Sequence, residues 1–170
     1  MPTQSYVRWF SDIRLSDVPE VGGKTASLGE LYAMFAAEGI RVPEGFALTA
    51  RAYRDALAGA GVEGELRHLL SGLDHHDVAL LAERAAVARR LVYEGTGTAQ
   101  LRAEIAAACS ALEEKCGARV AVAVRSSATA EDLPTASFAR QHESFLNVRG
   151  EADLFEACRR CFTSNGRAPS

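Results

Sequence analysis

Residues 119–149 read RVAVAVRSSATAEDLPTASFARQHESFLNVR. The run Val120, Ala121, Val122, Ala123 and Val124 is long enough for one buried strand and too short for a helix. It ends on Arg125, followed by Ser126, Ser127, Ala128 and Thr129. A guanidinium and small hydroxyls at the mouth of a strand suit a polyanion, because the planar fork of arginine matches phosphate geometry. The same pattern also fits a strand that simply ends there. Pro134, Ser137 and their small neighbours mark a loop. Residues 144–148 (SFLNV) then read as a second strand.

Working outward, the other informative stretch is VGGKTASLGE at 21–30. Gly22 and Gly23 allow backbone angles closed to other residues, and Lys24 follows at once. Residues 26–37 have helical spacing through Leu28, Leu31, Tyr32 and Phe35. A glycine-rich turn that feeds a helix N-terminus with a lysine is an anion cradle, or else a turn beside an exposed lysine. It is not a P-loop, since GxxxxGK is absent.

Composition sets the frame. The chain has 170 residues, 48% hydrophobic and 24% charged, which is ordinary for one globular domain. A net charge of −3 gives no basic field for nucleic acid or anionic membrane. No apolar run approaches membrane-span length and no signal-peptide core opens the chain, so a cytoplasmic protein is expected. The four cysteines are then expected to be reduced thiols. Cys158 and Cys161 have metal or redox spacing, but Leu154, Phe155 and Cys158 share one helical face, which favours the core.

Trp9 and Phe10 anchor a leading segment that turns at Asp17 and Pro19. Gly39 stops the first helix, Pro43 marks a turn or edge, and 47–49 could form a short strand. Thr49 caps a helix at 50–57, and further helices are expected at 65–70, 77–93 and 98–115, with Asp77 as a cap. His68, His75 and His76, with Asp74 nearby, read as surface residues. The expected fold class is α+β: one small mixed or antiparallel sheet, built from the strands at 47, 120 and 144, with helices packed against it.

Three blocks now carry a resemblance: WFSDIRLSDVPEVGGKTASLGEL (9–31), VPEGFALTARAY (42–53) and VAVRSSATAEDLPTASFARQHESFLNVRG (122–150). Together they resemble the N-terminal nucleotide-binding region of the phosphoenolpyruvate synthase (pyruvate, water dikinase) family. The wider group includes pyruvate phosphate dikinase and the rifampin phosphotransferases. The resemblance implies part of an ATP-grasp-like domain over residues 1–164, with 165–170 a tail outside the pattern. It implies ATP and magnesium as cofactors, and a phosphoryl group passed by way of a histidine to pyruvate. By match of motif, Lys24 and Arg125 would contact ATP phosphates. Gly22 and Gly23 would give Lys24 its approach, and the loop at 126–141 would fold over the triphosphate with Ser127, Thr129 and Gln141 as contacts. Glu131 and Asp132 read as solvated loop acids, and no magnesium ligand is assigned. None of His68, His75, His76 or His142 lies in the family's phosphohistidine motif.

Two departures from the family stand out. Arg140 occupies a position where the family usually has glycine, which adds bulk and charge to the phosphate lid. After Ser164 the family pattern stops, so a truncated or frameshifted dikinase product, inactive alone, is expected. The alternatives are a split subunit that needs a complementary chain, a stand-alone nucleotide-binding module, or a relative of the rifampin phosphotransferases. A split subunit would expose a large apolar face.

Overall fold

The computed structural model describes residues 5–72, 77–127 and 144–165. The chain opens with strand β1, Val7–Trp9, then two 3-10 turns, Phe10–Asp12 and Leu15–Asp17. A one-turn helix α1, Val18–Val21, precedes the long helix α2, Gly23–Ala37. Strand β2, Phe46–Leu48, pairs antiparallel with β1, and Trp9 lies opposite Phe46. Helices α3 (Ala50–Gly59), α4 (Glu63–Leu70), α5 (Val78–Gly95) and α6 (Ala99–Cys116) follow. Strands β3, Val122–Arg125, and β4, Ser144–Val148, form a second antiparallel pair, and α7, Gly150–Asn165, packs on both.

Helices α3, α5 and α6 begin where short polar side chains satisfy their first free amides. The Thr49 side chain accepts from the Ala52 amide at 3.2 Å, Asp77 from Leu80 at 2.9 Å and Thr98 from Leu101 at 3.3 Å. Helix α2 ends at Gly39, whose φ of 73° is open to glycine. There the Ile40 amide donates to the Phe35 carbonyl at 2.9 Å and the Gly39 amide to Ala36 at 3.1 Å.

The single sheet expected from the sequence is corrected, among the described residues, to two separate two-stranded sheets. The strand at 47 pairs with Val7–Trp9, a segment too short for its alternation to register, while the strands at 122 and 144, among the described residues, pair with each other. The run at 120–124 is also not a fully buried strand. Val122 and Val124 turn inward, and Ala123 and Arg125 turn out to solvent. The expected boundary at 164 falls inside α7, and residues 166–170 lie outside the described ones. Among the described residues no helix is long and apolar enough to cross a membrane.

Among the described residues, two apolar clusters hold the fold. The larger gathers Leu101, Ile105, Leu154, Phe155 and Cys158, with Phe46, Leu48, Val122, Val124 and Phe145 packed against it. The smaller joins Ile13, Val21 and Ala26 with Phe10, Val18 and Ala47. Strand β2 serves both, because successive side chains of a strand point to opposite faces: Phe46 and Leu48 enter one cluster, Ala47 the other.

Candidate functional site

The start of α2 is built by the leading segment. Arg8 on β1 donates to Glu20 at 2.6 Å, to Asp17 at 3.2 Å and to the Asp12 carbonyl at 3.2 Å. One guanidinium thus ties β1 to the second 3-10 turn and to α1. Gly22 then turns the chain with φ 82° and ψ 158°, a conformation that a Cβ would strain. Its amide donates to Val18 and its carbonyl accepts from Ala26, both at 2.9 Å. Gly22 is therefore the glycine that needs its freedom. Gly23 is the first residue of the helix and, unlike Gly22, has no positive φ.

No side chain caps the N-terminus of α2, and its first turn holds no acid. The first amides and the helix dipole there present positive potential, and Lys24, exposed in that first turn, adds a full charge. Lys24 also interacts within its own chain.

The second group sits at the end of β3. Arg125 is exposed and lies opposite Ser144 on β4. Ser126 is buried, and the Ser127 hydroxyl is buried without a hydrogen-bond partner among the described residues. An unmatched buried hydroxyl carries a desolvation cost of about 1–3 kcal/mol until something donates to it or accepts from it. Thr129, Gln141, Arg140, Glu131, Asp132 and His142 lie outside the described residues, as do Asp74, His75 and His76.

The two groups belong to different packing units. Helix α2 rests on the leading 3-10 turns and α1, whereas β3 packs on β4 and α7. A surface groove of about 240 Å³, lined by Val7, Trp9, Glu104 and Ala108, includes neither group. The structure therefore places Lys24 and Arg125 each at the exposed tip of its own element.

Arg8, which sets the entry to α2, was missed in the sequence because nothing in its neighbours marks it. The thiols fall as the helical face suggested: Cys158 and Cys161 are buried. Burial first, and then its neighbour Cys161, push the Cys158 thiol up to about 12, so it carries no thiolate at neutral pH.

Residues 18–168 match the family described as the pyruvate phosphate dikinase AMP/ATP-binding domain. Among curated relatives, the phosphoenolpyruvate synthase of Synechocystis sp. is 45% identical over 163 residues, covering 93% of this chain and 20% of the relative. That of Neisseria meningitidis is 47% identical over 169 residues, covering 98% of this chain and 21% of the relative. The rifampicin phosphotransferase of a Streptomyces species is 44% identical over 153 residues, covering 90% of this chain and 17% of the relative. The chain thus spans about a fifth of the length of the phosphoenolpyruvate synthases it matches.

Proposed function

This chain belongs to the pyruvate phosphate dikinase AMP/ATP-binding domain family, and we propose that it is the ATP-binding portion of a phosphoenolpyruvate synthase. In this reading it is part of an ATP-grasp-like domain, and the bound phosphates rest against the start of α2. Lys24 neutralises them as a mobile point charge, and the amides of the first turn donate to them. Arg125, with its rigid fork, and the Ser127 hydroxyl hold the nucleotide from the end of β3, with Thr129 and Gln141 as further contacts. Phosphoryl transfer consists largely of charge neutralisation and positioning, which is what these residue types supply. The phosphoryl group passes by way of a histidine to pyruvate, in the cytoplasm. Magnesium enters as the ion that accompanies ATP. Among the described residues no three His, Cys, Asp or Glu side chains gather to hold a metal.

The observation that carries this reading is the uncapped, lysine-bearing start of α2 behind the left-handed Gly22, inside the family-matched region. The test is calorimetric titration of the purified chain with ATP, with and without magnesium. Saturable binding is expected, weakened about 10- to 100-fold by Lys24→Ala and by Arg125→Ala, the range for loss of a charged hydrogen bond. Absence of binding by a folded sample, or binding indifferent to both substitutions, sinks the reading.

A further inference from the structure

Residues 12–24, which lead into α2, hold three acids, Asp12, Asp17 and Glu20, against two cations, Arg14 and Lys24. Taken alone they carry a net negative charge, at the place where an anionic ligand would approach. Arg8, on the neighbouring strand β1, cancels it. Its Nη1 donates to Glu20 Oε2 at 2.6 Å and its Nη2 to Asp17 Oδ2 at 3.2 Å, so one guanidinium spans the two carboxylates that precede the Gly22 turn. Nη2 also donates to the Asp12 carbonyl at 3.2 Å, which fixes the orientation of the fork. The side chains of Arg8, Asp17 and Glu20 are 30%, 21% and 36% exposed. Ion pairs this exposed add little to stability, so their larger effect is on the field at the surface.

We propose that Arg8 is a specificity-determining residue: by masking Asp17 and Glu20 it lets the start of α2 favour the more highly charged phosphate chain. The inference rests on the reading that nucleotide phosphates meet the start of α2. With the two acids masked, the Lys24 charge and the positive end of the helix dipole act on the ligand with less opposition. The gain grows with the charge on the ligand, because Coulomb energy is proportional to it, and ATP carries more phosphate charge than AMP. Arg8 itself touches no phosphate in this reading and works through the two carboxylates. A guanidinium that only held the turn in place would act on both nucleotides alike.

Calorimetric titration of the full chain with ATP and with AMP tests it, alongside thermal melts that check the folding of each variant. Arg8→Met keeps most of the apolar stem and bares both carboxylates. It is expected to weaken ATP about tenfold and AMP about threefold or less, the difference shrinking as salt screens the exposed acids. Asp17→Asn with Glu20→Gln breaks the same pairs from the other end and leaves the guanidinium charge uncancelled. ATP is then expected to bind at least as tightly as to the natural chain. Adding those two exchanges to Arg8→Met is expected to recover most of the lost affinity. Equal losses for the two nucleotides, equal losses from breaking the pairs at either end, or no recovery in the triple variant overturns the proposal. If Lys24→Ala weakens ATP binding and Arg8→Met does not, this proposal fails while the reading of the site stands. A folded natural chain that does not bind ATP overturns both.

Discussion

A methyl group at position 29 would lie 2.5 Å from the Ile13 carbonyl oxygen and 2.7 Å from the Ile13 Cβ. Glycine is there because α2 presses on the segment before α1, not because the backbone needs an unusual angle. Position 64, in α4, meets nothing within 4 Å. The same substitution at the two sites should therefore act in opposite directions. Gly29→Ala is expected to destabilise by about 1–3 kcal/mol through overpacking. Gly64→Ala is expected to stabilise by up to about 1 kcal/mol through helix propensity and a less disordered unfolded chain. Urea denaturation of both variants measures this, and a loss at position 64 equal to that at 29 would count against the packing account.

At the scale of elements, β4 shows how one residue changes a strand. Val148 pairs with Val122 but Phe145 with Val124, so Leu146 and Asn147 together face Ala123. The extra residue is a bulge, with Asn147 at φ 57°. It explains why Phe145 and Val148 both turn inward although three positions separate them, and why Leu146 is left exposed. Asparagine tolerates that conformation, glycine prefers it, and a β-branched residue resists it. Asn147→Gly should leave the melting temperature near that of the natural chain, while Asn147→Val should lower it by about 2–12 °C. Calorimetric melts of the two variants decide the point.

Across the whole molecule, the two clusters meet on β2, and α5 is tied to α7 by a polar cluster. The Tyr93 hydroxyl donates to Glu156 at 2.8 Å, and Arg159 lies over the Tyr93 ring at 3.7 Å while bonding to the Tyr93 carbonyl. The bond from Tyr93 holds the Glu156 carboxyl below its usual range, so its contribution is present at neutral pH and is lost as the medium turns acid. On the alkaline side the shifts add. Burial raises Cys158 and Cys109, and also Tyr6, Tyr32 and Tyr53. In each case the unfolded chain releases its proton first, so rising pH favours unfolding. For Cys158 the window runs from its ordinary 9.0 to about 12. Within that window one buried thiol removes about 1.4 kcal/mol per pH unit. Denaturation midpoints should be level from neutral pH to about 9 and then fall, and Cys158→Ala should make the decline shallower by about one proton. An unchanged slope in that variant would contradict the assignment.

Much of this was determined along the chain itself. Gly39 as a stop, Thr49 and Asp77 as caps, and the inward face of Leu154, Phe155 and Cys158 depend on residue type at fixed local spacing, which neighbours in sequence suffice to set. Gly22 and Lys24 at the entry to a helix were legible for the same reason. The pairing of strands was not, because hydrogen bonds between strands join residues far apart in sequence and a three-residue strand leaves almost no periodic signal. The part of Arg8 was hidden likewise, since its partners Asp17 and Glu20 are brought to it only when the chain turns back. Nor could the spacing of Leu28, Leu31 and Phe35 say which way they point. An apolar stripe at helical spacing looks the same from the sequence whether it faces the core or water. Only the packing of Ala26 and Gly29 against Ile13 and Val21 turned it outward, because the smallest side chains of α2 allow the closest approach.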